Sequence, residues 1–96
     1  MVEISVRLLG SLSEFSEGKD LHLRFDKEPT MEDIVRILVI DLGPAFERTL
    51  LDPIVHNPLP RALILVRGFE ISVLQGMDTV LKDGDDVVIL PVSHGG

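Results

Sequence analysis

Residues 29–44 read PTMEDIVRILVIDLGP, and the fold turns on this stretch. Upstream of it apolar residues recur at every second position. Within it Met31, Ile34, Leu38 and Leu42 recur at helical spacing, so the spacing predicts a helix with one buried stripe. Thr30 suits the N-cap, where its hydroxyl accepts a bond from a backbone N–H that the first turn leaves unpaired. Glu32 and Asp33 place negative charge where the helix dipole favours it. Gly43 and Pro44 end the helix, Gly43 as a left-handed cap and Pro44 as a residue that cannot continue it. Pro44–Leu51 is predicted as a short second helix with proline at its first position.

Outward from this helix the period is two. Val2, Ile4, Val6 and Leu8 alternate with Glu3, Ser5 and Arg7 across Met1–Leu9, the pattern of a half-buried strand. Gly10–Gly18 reads as a polar turn region with one apolar anchor, Phe15. Leu21, Leu23 and Phe25 then alternate with His22 and Arg24 in a second strand, the antiparallel partner of the first. Beyond the helices, the three prolines of Asp52–Pro60 predict an irregular connection. A strand at Arg61–Arg67, turned by Gly68, a short edge strand at Glu70–Leu74, a loop at Gln75–Asp86 and a last strand at Val87–Val92 follow. The expected class is α+β: a mixed sheet of four to five strands packed on one main helix. No linker or repeat divides the chain, so residues 1–92 are expected to form one domain and residues 93–96 a flexible tail.

Two strands break the alternation. Arg61–Arg67 and Val87–Val92 are apolar at both parities, although one face of a two-layer sheet should meet water. Val87 and Ile89 are assigned to the helix-facing core, and Val88 and Leu90, with Val92, to an outer apolar patch of the kind that marks interaction sites. The competing expectation is that Asp52–Pro60 covers this face and buries both parities.

Composition removes most chemistries. The 96 residues include no cysteine, which excludes disulfides, thiolate metal sites and cysteine nucleophiles. Nine Lys and Arg against sixteen Asp and Glu give a net charge of −7, opposed to phosphate backbones. With 4% aromatics and neither Trp nor Tyr, a base-stacking platform is absent. No apolar stretch approaches the roughly 20 residues of a membrane helix, and no signal peptide is read at the start, so a cytoplasmic protein is expected. His22, His56 and His94 lack metal-pair spacing. Asp83, Asp85 and Asp86 around Gly84 lack the spaced ligands of a calcium loop and read as a solvated turn at the far end of the last strand. No metal site, bound cofactor or enzymatic constellation is expected, so the business of the chain is with other proteins.

The remaining signal is Ser93-His94-Gly95-Gly96, which follows directly on an apolar strand. Glycine lacks a Cβ, so a Gly-Gly end is thin enough to thread a narrow tunnel and leaves the carboxylate of Gly96 as the reactive group that protrudes. The competing reading is a frayed tail.

Leu65-Val66-Arg67-Gly68, the run Gly76–Asp85, Val87–Pro91 and Gly95-Gly96 resemble the MoaD/ThiS group of ubiquitin-like sulfur carriers. The resemblance implies the β-grasp fold, specifically over about the last 35 residues and by order of elements before them. MoaD-like tails commonly read Phe-Pro-Pro-Val-Xaa-Gly-Gly. Here Leu90 stands for the Phe, Val92 for the second Pro and Ser93 for the Val. His94 before Gly-Gly is instead similar to the ubiquitin-related modifier of tRNA thiolation, and archaeal small modifiers also end in Gly-Gly. The resemblance implies a non-catalytic carrier. A ubiquitin-activating-like enzyme would use ATP to adenylate Gly96, and the resulting thiocarboxylate would carry sulfur to a molybdopterin synthase large subunit or a tRNA thiolation enzyme. Gly95 and His94 would thread the partner's tunnel, and Val88, Leu90 and Val92 would dock. Two alternatives stay open: a protein modifier joined through Gly96 to lysines, and a β-grasp interaction module without chemistry.

Overall fold

The computed structural model describes residues 1–51, 58 and 61–92. Strand β1 (Val2–Leu8) and strand β2 (Leu21–Phe25) are joined by a 3-10 segment at Gly10–Ser16. Helix α1 (Met31–Leu42) and helix α2 (Pro44–Leu50) follow, then β3 (Ala62–Val66), β4 (Phe69–Glu70) and β5 (Asp86–Pro91). The five strands form one mixed sheet in the order β2-β1-β5-β3-β4. The last strand is thus inserted at the centre, parallel to β1 and antiparallel to β3, while β2 is antiparallel to β1 as the alternation requires.

Helix α1 begins where its cap predicts. The Thr30 hydroxyl accepts from the Asp33 N–H at 3.2 Å, and the Asp33 carboxylate accepts from the Thr30 N–H at 3.0 Å, a reciprocal capping box. Its buried stripe is Met31, Ile34, Val35 and Leu38, which meets Ile4, Val6, Ile64, Val87 and Ile89 of the sheet in one core. Gly43 ends α1 at φ +94° and ψ −177°. Its φ is positive but its ψ is extended, not the left-handed cap expected, because the same residue is the N-cap of α2. Helix α2 adds Phe46 and Leu50 to the core.

Three further expectations are corrected. The Gly10–Ser16 segment inserts Leu12, fully buried, while Phe15 is only half-buried and meets Phe46 edge-on at 5.3 Å. The edge strand shrinks to two residues, and Ile71–Val73 becomes a 3-10 turn that buries Ile71. Glu70 closes that turn by accepting from the Ser72 hydroxyl and from its N–H at 2.9 Å, bonds that lower its carboxyl pKa from the ordinary value.

The acidic turn is the third correction. Asp85 is 8% exposed; it accepts from the Lys82 N–H at 2.7 Å and pairs with the Arg67 guanidinium. Arg67 sits at φ +53° in the two-residue turn between β3 and β4, the positive-φ geometry that suits a tight hairpin. Asp83 accepts from the Glu3 N–H at 2.8 Å. The turn therefore ties β1, β3 and β5 at one end; Asp83 and Asp86 are exposed as solvated turn residues would be, and Asp85 is not. Of the connection expected over Asp52–Pro60, only Pro58 is described; it is buried on the helix side, beside Val35, Val39 and Leu51. Residues 93–96 lie outside the described residues. Among the described residues no helix is long and apolar enough to cross a membrane.

Asp85→Ala removes the shared partner of the Lys82 N–H and the Arg67 guanidinium and should cost about 1–3 kcal/mol, whereas Asp86→Ala should stay within about 0.5 kcal/mol. Urea denaturation of the two variants measures both, and equal midpoints would refute the structural role given to Asp85.

Candidate functional site

The last strand sorts its side chains by parity. Val87 and Ile89 are 1% and 0% exposed, Val88 is half-buried and Leu90 is 37% exposed. The register brings Leu63 opposite Leu90 and Leu65 opposite Val88. All four therefore lie on the sheet face away from α1, where cross-strand neighbours half-cover one another. Val92, just past the strand, is 41% exposed and extends this apolar stripe toward the tail. Leu63 and Leu65 were not singled out from sequence, although the apolar run at both parities of Arg61–Arg67 was the signal that contained them.

The other half of the same face is charged. Arg7, level with Val88 across the β1–β5 pairing, bonds Asp20 at 3.0 Å, and Arg24 pairs with Glu3 at 3.2 Å. The Arg7 hydrogen bond and charge lower the Asp20 carboxyl pKa from its ordinary value and raise that of Arg7. Arg7 and Asp86 flank a small hollow of about 90 Å³ beside Val88. The result is an apolar stripe with a charged margin.

The stripe leads to the end of the chain. The Val92 N–H donates to the Arg61 carbonyl at 2.8 Å and the Leu9 N–H to the Ile89 carbonyl at 3.0 Å, so β5 is held on both flanks to its last residues. Val88, Leu90 and Val92 are thus brought together beside the base of the tail, while His94, Gly95 and Gly96 lie outside the described residues, as does His56. His22 is exposed on β2 and belongs to no cluster. Among the described residues no group of three or more His, Cys, Asp or Glu is placed to hold a metal ion.

No protein-family model matches the chain. It is 30% identical over 95 residues to small archaeal modifier protein 3 of Haloferax volcanii, an alignment covering 99% of this chain and 100% of that protein. The solution structure of small archaeal modifier protein 1 of Methanosarcina acetivorans superposes with a TM-score of 0.81 at 29% identity, covering 100% of this chain and 98% of that one. That of Urm1 from Trypanosoma brucei superposes with a TM-score of 0.78 at 28% identity, covering 98% and 95%. The chain belongs to the small archaeal modifier family of ubiquitin-like β-grasp proteins. The expected class, a mixed sheet on one main helix in the β-grasp arrangement, holds.

The Arg7–Asp20 pair marks the charged margin in solution. A carboxylate with a lowered pKa keeps its pairing as pH falls through the ordinary range and loses it only as pH drops through its own lower value. Asp20 should titrate below its ordinary 3.8, and Arg7→Ala should return it there. Carboxyl NMR titration checks this; identical midpoints in the two proteins would contradict the pairing.

Proposed function

We propose that this protein is a carrier whose chemistry takes place at the carboxylate of Gly96. The observation that carries the reading is the juxtaposition at the end of the chain: a Gly-Gly terminus four residues beyond a strand whose outward residues form an exposed apolar stripe. Membership in a family of ubiquitin-like modifiers supports it.

The chemistry follows from what a protruding carboxylate is able to do. Held by an adenylating partner, a Gly96 oxygen attacks the α-phosphate of ATP and pyrophosphate leaves. Hydrosulfide, as the sulfur donor, then adds at the acyl carbon, AMP leaves, the S–H proton is lost to solvent, and Gly96 ends in a thiocarboxylate. This chain binds no cofactor of its own in that scheme, and the sulfur rides on Gly96. Val88, Leu90 and Val92, with Leu63 and Leu65 beside them, dock on the partner, while His94 and Gly95 thread its tunnel. The acceptor is an enzyme of molybdopterin synthesis or of tRNA thiolation.

A second reading is favoured by the names of the relatives, which are modifiers. The same adenylate captured by a lysine amine gives an isopeptide, with AMP again leaving. The exposed lysines Lys19, Lys27 and Lys82 would then be acceptors on a second copy of this chain. The fate of the adenylate separates the two readings.

Incubation with the cognate activating enzyme, ATP and a sulfur donor should replace one oxygen of Gly96 by sulfur, read by intact mass. Deleting Gly96, or extending the chain past it, should abolish the exchange while leaving the fold intact. Thiolation of the untrimmed extended protein would overturn the proposal.

Docking is tested separately. Leu90→Ala should change stability by about 0.5 kcal/mol or less yet weaken partner binding by about 1–2 kcal/mol. Ile89→Ala, one residue away, should lose roughly 2–5 kcal/mol of stability. If Leu90→Ala unfolds as readily as Ile89→Ala, the exposed patch must be abandoned.

A further inference from the structure

Gly10 and Pro91 touch where the sheet releases the tail. Gly10 sits at φ +59°, and a Cβ built on it would lie 3.0 Å from Pro91 Cγ and 3.2 Å from Pro91 Cδ. Only glycine leaves room for the ring there, since contacts that short force one partner to move. The proline ring cannot yield as a flexible side chain would, because it is closed onto the backbone and fixes φ near −65°.

The opposite flank is held as well. Pro91 pairs with Ala62 across the ladder, and the next N–H, that of Val92, donates to the Arg61 carbonyl. The Arg61 guanidinium in turn donates to the Arg48 carbonyl of α2 at 2.8 Å. The end of β5 is thus gripped from the β1 side by Gly10 and from the β3 side by a residue anchored to the helical layer.

From these contacts we infer that Gly10 and Pro91 are positioning residues: they fix the backbone at Val92, the last described residue before the Gly-Gly end, and so govern the step at Gly96 more than the docking. The inference rests on the reading that Gly96 is the reacting group. A reacting carboxylate tolerates little misplacement, and a fixed base narrows the space that four residues, reaching at most roughly 14 Å, must search. Leu90 and Pro91 are adjacent, so the lock also ties that base to the surface that docks.

The test compares Pro91→Ala, which adds no atoms and removes the ring, with Gly10→Ala, which pushes on it. Gly18→Ala is the control. Gly18 has the same left-handed φ, +72°, but a Cβ there meets nothing within 4 Å, so it carries the backbone strain without the Pro91 contact. With the cognate activating enzyme and ATP, Pro91→Ala and Gly10→Ala should lower kcat for adenylation about fivefold or more and leave KM within about twofold. Gly18→Ala should match the unsubstituted protein. A Pro91→Ala protein with undiminished kcat, or a loss confined to KM, overturns the inference. Amide relaxation of Val92 and Ser93 gives a second readout that needs no enzyme. Their order parameters should fall in Pro91→Ala and not in Gly18→Ala, and unchanged values in Pro91→Ala also overturn it. Failure of the unsubstituted protein to form any adenylate would instead remove the function proposed for Gly96.

Discussion

The parallel pairing of the first strand with the last carries the rest of the molecule. Ser5 through Leu8 run beside Asp86 through Ile89, which places the end of the chain at the centre of the sheet rather than at an edge. A strand in that position is bonded on both sides and packed beneath by α1, so it opens only when the whole domain opens. A tail rooted there leaves from one of the most stable parts of the structure. The consequence is mechanical: Val92, the last described residue, stands on a firm base four positions before the terminal glycine.

The same position makes one strand serve two purposes. Side chains alternate across a sheet, so β5 gives Val87 and Ile89 to the core and Val88 and Leu90 to solvent. A slip of one residue would exchange the two sets. The register is pinned at the far end, where Asp85 holds the Lys82 N–H and the Arg67 guanidinium and Arg67 N–H bonds the Asp86 carbonyl at 3.1 Å. The acidic turn acts on the tail only through this register, from the opposite end of the strand.

What could be read in the sequence was what local patterns determine. Thr30 and Asp33 marked the start of α1 because a cap is satisfied within four residues, and Val87–Leu90 could be sorted by parity because a strand's period is two. Tertiary choices were hidden. Leu12 lies among serines and becomes core only because the chain crosses under α2. Asp85 is indistinguishable from Asp83 and Asp86 until Arg67 is brought beside it. The edge strand expected to Leu74 ends at Glu70 because Glu70 prefers to bond Ser72. Leu63 and Leu65 join the patch only through the antiparallel register with β5, which no single strand discloses. Gly10 looked like any turn glycine, and its meaning lies in a proline 81 positions later. Within the candidate site, Val88, Leu90 and Val92 could be read from alternation, whereas His94, Gly95 and Gly96 were legible as a motif alone.

The central claim is that the chemistry of this protein resides in one carboxyl group. Intact-mass and fragment analysis of the protein isolated from its own cells tests it most directly. The account predicts a population in which sulfur replaces an oxygen of Gly96. A Gly96 that carries only its free carboxylate, with neither sulfur nor an amide link to another protein while its activating enzyme is present, would contradict it.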